Sequence, residues 1–231
     1  MRKLMFITAI CAVLAAPALA GPTVIVYQTG YSSGSGGEFT AKPIGWSWNP
    51  LPYYDTSTSN IGPWDPSFQT FCVESSEYFY PGTEYSVTFG DNAIKGGVGP
   101  LGDPISKGTA YLYHMFQNQD PKLTPYDWSE AGRSASAGAL QNAIWALEGE
   151  GGGINAAYTN LLTARFGSVA AAQADNAGLY PVKVMSLWDK GYPGDLSHVA
   201  QDMLVCVPVP GAVLLGMLGL SAAGLKLRKF A

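Results

Sequence analysis

Histidine and cysteine are scarce in this chain, which has two histidines and three cysteines in 231 residues. With only His114 and His198, a zinc site built from several imidazoles is excluded, and no His/Cys spacing matches a structural metal motif. We therefore predict no metal and no cofactor. A calcium site of Asp, Asn and backbone oxygens around Asp91 and Asn92 stays open, although no calcium-loop signature is present there.

Positive charge is also scarce, and part of it lies in the two terminal segments. The chain has 13 Lys and Arg against 17 Asp and Glu. Without the five cations of the terminal segments, eight remain against seventeen acids, a net charge of −9 for the region between. No basic patch is left to neutralise phosphates, so we predict no nucleic-acid partner.

The N-terminus has the pattern of an export leader. Two basic residues and an apolar stretch open the chain, and Ala18 and Ala20 form the small-x-small pattern of a cleavage site. Residues 1–20 are therefore predicted to be a signal peptide. We expect the mature chain to be exported across the inner membrane.

The C-terminus carries a second targeting pattern. Pro208 and Pro210 precede an apolar run over residues 212–225, and Lys226, Arg228 and Lys229 follow it. Such a run is just long enough to cross a membrane at about 17 to 25 residues, with its basic end in the cytoplasm. The arrangement resembles a PEP-CTERM sorting signal, although this chain has Pro-Val-Pro where that family usually has Pro-Glu-Pro. The resemblance implies an exosortase-type partner for residues 207–231; an uncleaved single-pass anchor is the alternative.

Export leaves the mature chain with Cys72 and Cys206, because Cys11 lies in the leader. A disulfide between the two is one reading, since exported proteins form disulfides. Cys206, however, lies two residues before Pro208, a poor place to cross-link a domain. Cys72 as a reactive or buried free thiol therefore stays open.

The order of predicted elements indicates an α+β fold. Extended, β-prone residues surround Cys72 at positions 69–74, and a turn at 81–83 leads to an alternating strand at 84–90, which predicts a hairpin. Asp103 is predicted to cap a helix ending near residue 118, and a second helix over 134–147 carries Gln141. With further strands at 180–188 and 201–207, we expect an antiparallel sheet or barrel with a helical insertion that carries Gln141.

Cys72 and Gln141 together suggest a specific chemistry. The thiolate of Cys72 attacks the amide carbon of Gln141, expels ammonia and leaves an internal thioester, provided that the two groups are pre-positioned and the thiol is activated. The stretches F-C-V-E at Cys72 and, 69 residues later, L-Q-N-A-I-W at Gln141 resemble the paired motifs of the thioester domains of bacterial surface adhesins. The resemblance implies a Cys72–Gln141 cross-link, with Phe71 and Trp145 as the aromatic shell that keeps water away.

The expected function is therefore a surface-associated protein whose ectodomain, residues 21–206, attaches covalently to an amine-bearing surface or matrix partner. It is not expected to be an enzyme beyond the autocatalytic formation of its thioester. The alternative is a structural protein of the matrix or envelope in which Cys72 and Gln141 are merely buried. A third reading is a cysteine hydrolase or acyltransferase in which Cys72 pairs with His114 or His198.

Overall fold

The structure is a computed structural model that describes residues 21–34, 36–47, 67–95 and 103–208. Six strands and four α-helices are described in this part of the chain. The strands are β1 Thr23–Ser33, β2 Gly36–Ile44, β3 Phe68–Thr70, β4 Glu84–Gly90, β5 Val182–Asp189 and β6 Val199–Cys206. The helices are α1 Lys107–Gln117, α2 Glu130–Glu148, α3 Ala156–Phe166 and α4 Val169–Ala172, and a 3-10 turn, Leu196–His198, precedes β6.

The six strands form one antiparallel sheet in the order β3-β2-β1-β4-β5-β6. The helices lie between β4 and β5 in the chain, so the predicted α+β class with a helical insertion is confirmed. The sheet is open rather than a closed barrel. The residues after β3 nevertheless reach the far edge: Cys72 forms an antiparallel bridge with Met203 of β6, and Val73 N–H donates to the carbonyl of Asp202.

The predicted hairpin between the Cys72 segment and β4 is wrong. The turn is present, because Thr83 N–H donates to the Tyr80 carbonyl and Gly82 has φ +82°. However, β4 pairs with β1 and β5, whereas the Cys72 segment pairs with β6. Alternating side chains identify a strand, but they do not identify the strand that it pairs with.

Helix ends follow capping chemistry, which corrects one predicted start. α1 begins after Ser106, whose hydroxyl accepts the N–H of Thr109, and not after Asp103. α2 begins after Ser129 and ends at Gly149, which adopts the left-handed conformation at φ +78°. α4 is a single turn that begins after Ser168, whose hydroxyl accepts the N–H of Ala171.

Two apolar layers cover the two faces of the sheet. The helices pack on one face, where the buried cluster includes Phe71, Val73 and Leu204. The opposite face carries a second cluster that includes Cys72 and Met203. The segment around Cys72 therefore contributes alternate side chains to both layers, as an extended chain does. α2 packs against β1 and β2, which places Gln141 next to the start of β2.

Candidate functional site

The carboxamide of Gln141 is hydrogen-bonded to the backbone of Cys72. Its Nε2 donates to the Cys72 carbonyl at 2.7 Å, and its Oε1 accepts the Cys72 N–H at 3.1 Å. Gln141 is 1% exposed and Cys72 3% exposed. The structure thus brings together the two residues that the sequence analysis paired, and it orients the amide by two contacts.

A glycine pair at the start of β2 makes room for this amide. Gly37 N–H gives Gln141 Oε1 a second donor at 3.4 Å. A Cβ on Gly36 would lie 2.5 Å from Gln141 Cγ and 2.7 Å from Trp145 Cη2, closer than carbon atoms can approach. Gly37 has φ +105°, which side chains other than glycine rarely adopt. This pair was not predicted from the sequence, although two adjacent glycines at the start of a strand were a visible signal.

Cys72 and Cys206 are both buried free thiols, so the disulfide reading is wrong. The two side chains belong to different apolar layers of the sheet. Burial raises the pKa of the Cys72 thiol above its ordinary range, and the negative charge of Glu77 raises it further. Burial also raises the pKa of Cys206, to about 12. Neither thiol is therefore ionised by its surroundings at neutral pH.

Trp145 and Phe71, the two aromatic residues predicted to keep water from the thioester, lie on opposite faces of the sheet. Trp145 follows Gln141 by one helical turn, is half-buried, and packs against the apolar layer that contains Cys72. Phe71 lies in the opposite layer, edge-on to Phe116 with ring centroids 5.0 Å apart. Trp145 therefore covers the side of the sheet on which the thiol lies, whereas Phe71 supports the strand from the helical side.

A buried ion pair fixes α2 against β2 next to this site. Arg133 on α2 donates through Nε to Glu38 Oε2 at 3.0 Å and through Nη2 to Glu38 Oε1. The Tyr126 hydroxyl donates to Glu38 Oε2 at 2.8 Å, and burial raises the pKa of Tyr126, so it stays protonated. Glu38 follows Gly37, and Arg133 lies about two turns before Gln141. The ion pair therefore sets the register between the two elements that meet at the amide.

Several carboxyl groups lie buried close to Cys72. Glu74, Glu77 and Asp202 are 2%, 8% and 0% exposed, and the half-buried Glu150, which follows the end of α2, lies beside Glu74. Burial is the first cause of the raised pKa of Glu74, about 9, and of Glu77, about 7; neighbouring carboxylates add to both. We call these four residues the buried carboxyl cluster. Sequence reasoning missed it because acidic residues in separate segments give no pattern.

The histidines have other partners. His114 packs against Tyr180, and burial lowers its pKa. His198 pairs with Asp189 at 2.9 Å and stacks on Tyr192. These contacts give no support to a Cys72–His dyad. No group of three or more His, Cys, Asp or Glu within the described ranges is arranged to hold a metal ion, and the carboxylate of Asp91 is paired with Lys183 at 2.5 Å.

Both terminal predictions lie largely outside the described residues. Ala18 and Ala20 precede them, and the sorting residues Pro210, Lys226, Arg228 and Lys229 follow them. Pro208, the last described residue, is exposed. Among the helices that are described, none has the length and apolar character needed to cross a membrane. No protein-family model, curated protein or solved structure matches the chain.

Proposed function

We propose that this chain is an exported, surface-associated protein that forms an internal thioester between Cys72 Sγ and Gln141 Cδ and uses it to attach to an amine-bearing partner. The observation that carries the proposal is the buried contact of the Gln141 carboxamide with the Cys72 backbone, at 2.7 and 3.1 Å. These hydrogen bonds hold the amide beside the residue that supplies the nucleophile. Such positioning converts an encounter of two groups into an intramolecular step.

The surroundings of Gln141 Oε1 suit a transition state with negative oxygen. As Sγ attacks Cδ, the carbonyl electrons move to Oε1, where the N–H groups of Cys72 and Gly37 are already directed. The C–N bond then breaks, and the thiol proton leaves with the nitrogen as ammonia. One S–C bond replaces one C–N bond, so no oxidant or cofactor is needed.

Burial protects the thioester from water and also restricts the access of an amine. With Cys72 and Gln141 almost without solvent contact, water has little access to the thioester. Trp145 is half-buried and adjoins Gln141 over Gly36. We propose that a lysine or other amine of a surface or matrix partner approaches past Trp145 and attacks Gln141 Cδ. The attack forms an amide and releases the Cys72 thiol. Each molecule reacts once, so no enzymatic turnover is involved.

The location belongs to the same proposal. Residues 1–20 act as the signal peptide, and residues 207–231 act as a PEP-CTERM-like segment that an exosortase-type enzyme recognises or that anchors the chain in the membrane. The domain then lies in the cell envelope, on the cell surface or in the extracellular matrix. Covalent attachment by an internal thioester fits that location.

A second candidate is a structural envelope protein without a thioester. It is favoured by the satisfied hydrogen bonds of Gln141 and by the raised pKa of the Cys72 thiol, which opposes nucleophilic attack. In that reading the Gln141 amide only ties α2 to the Cys72 strand.

Incubation of the native protein with methylamine, followed by peptide mass mapping, tests the capture function. We expect methylamide at Gln141 and one newly titratable thiol at Cys72; Gln141→Ala, the matched control, should take up no amine. An intact thioester that stays inert while the protein is folded would contradict capture. The cross-link would then serve only to stabilise the domain, as a disulfide does.

A further inference from the structure

The thioester reaction needs a proton acceptor that the paired motifs do not provide. Burial keeps the Cys72 thiol protonated, so sulfur becomes a nucleophile only if its proton moves to a nearby base. Both histidines are engaged elsewhere, His114 with Tyr180 and His198 with Asp189. Among the residues that the structure describes, the titratable groups that remain near Cys72 belong to the buried carboxyl cluster.

Glu77 has the position that suits this role. Cys72 forms a β-bridge with Met203 of β6. Asp202 precedes Met203, and its N–H donates to Glu77 Oε2 at 3.1 Å. The carboxyl group is thus held at the β6 backbone next to the partner of Cys72. Its other oxygen, Oε1, is buried without a hydrogen-bond partner among the described residues, and Lys95 Nζ lies 3.9 Å away. An oriented carboxylate with one unused oxygen is built to accept a proton.

The other carboxyl groups are less suitable. The pKa of Glu74 is raised to about 9, so Glu74 is protonated at neutral pH. Asp202 Oδ2 accepts the N–H of Ile94, and hydrogen bonds from Ser186 and from the backbone of Lys95 also hold the Asp202 carboxylate in its charged form. Glu150 bonds through Oε2 to Ser75 at 3.4 Å. Glu77, whose pKa is about 7, is the member that is both ionisable at neutral pH and close enough for its charge to act on the thiol.

We propose that Glu77 is the general base and acid of thioester formation, an inference that rests on the proposed function. The Glu77 carboxylate takes the Cys72 proton, directly or through one water, as Sγ bonds to Gln141 Cδ. The resulting Glu77 carboxylic acid returns that proton to Nε2, and ammonia leaves. The reacting groups together carry one negative charge throughout, so the proton transfers add no further charge to the buried site.

The test follows ammonia loss during refolding of the full chain. The unfolded protein, recovered from inclusion bodies, is dissolved in denaturant and refolded by dilution into buffers from about pH 5 to about pH 9. Samples are quenched in acid at intervals, and intact mass spectrometry measures the fraction that has lost ammonia. For wild type we expect a rate that rises with pH to a plateau, with a midpoint near the pKa of Glu77. Glu77→Gln should slow ammonia loss by about 100-fold or more and abolish its dependence on pH.

Two variants make the result specific. Glu74→Gln replaces a group that is protonated at neutral pH, so it should leave the rate at neutral pH unchanged. Lys95→Met removes an exposed cation that lowers the pKa of Glu77, so the midpoint should move to higher pH and the rate at neutral pH should fall. Because Lys95 lies at the surface, this variant reports on Glu77 even if Glu77→Gln does not fold.

The outcomes are separable. A wild-type rate that does not depend on pH, an unchanged midpoint in Lys95→Met, or Glu77→Gln reacting like wild type would each overturn the role of Glu77 while leaving the thioester in place. Wild-type chain that folds and loses no ammonia at any pH would instead contradict the proposed function itself.

Discussion

Replacement of Gly36 by alanine tests the packing that brings Gln141 to Cys72. The added methyl group would lie 2.5 Å from Gln141 Cγ and 2.7 Å from Trp145 Cη2. Ordinary carbon contacts begin near 3.4 Å. The Gln141 side chain must therefore move by roughly 1 Å, a misplacement that can slow a positioned reaction about 100-fold.

The same change should also destabilise the fold. Overpacking of a buried site costs about 1–3 kcal/mol, which corresponds to a fall in Tm of about 2–4 °C for each kcal/mol in a domain of this size. Gly30→Ala is the matched control, because Gly30 lies on the adjoining strand β1 with nothing within 4 Å of its added Cβ. It should be neutral or slightly stabilising.

Two measurements decide this prediction. Thermal unfolding gives the stability of both variants, and intact mass spectrometry during refolding gives their rates of ammonia loss. If Gly36→Ala and Gly30→Ala had the same Tm and the same rate of ammonia loss, the close packing at Gly36 would not be what positions the Gln141 amide.

Three further predictions concern other parts of the chain. Arg133→Met should lower the free energy of unfolding in urea by about 3–5 kcal/mol, because it removes the cation that is paired with the buried carboxylate of Glu38; Glu38→Gln in the same chain should recover part of the loss, and an equally unstable double variant would contradict this. The pKa of Glu74 is about 9 when folded against 4.5 for the free group, so its stabilising effect is complete below about pH 4.5 and is lost as pH rises toward 9. Tm should therefore fall over that range, less steeply in Glu74→Gln, and equal slopes would refute it. Deletion of residues 208–231 should release the protein from the cell envelope into the medium; fractionation showing full retention would mean that another surface holds it.

The sequence predicted the elements of this fold better than their partners. Apolar residues at helical spacing predicted α2, and the four that repeat at this spacing are all buried: Ala137, Leu140, Ile144 and Leu147. The partner of the Cys72 segment was predicted wrongly, because the strand β6 that pairs with it lies about 130 residues away. Local alternation carries no information about such distant pairing.

The site divides in the same way. Cys72 and Gln141 could be paired from the chemistry of their side chains and the element types that carry them. Three other features of the site could not be predicted, because their partners are distant in the sequence and meet only in the folded chain. They are the N–H of Gly37, the Glu38–Arg133 ion pair and the carboxyl group of Glu77. Pairing with β6 also decides which face of the sheet Phe71 occupies. Phe71 was predicted to shield the thioester because it precedes Cys72 in the sequence, but adjacent residues of an extended chain point to opposite faces.

Intact mass of the purified, acid-denatured ectodomain tests the central claim most directly. A Cys72–Gln141 thioester makes wild type lighter than its sequence by one ammonia, whereas Gln141→Ala should weigh what its own sequence requires. We predict that deficit, together with no titratable thiol at Cys72 until the protein is treated with an amine. Wild type at full sequence mass, with Cys72 titrating as a free thiol after denaturation, would contradict the thioester.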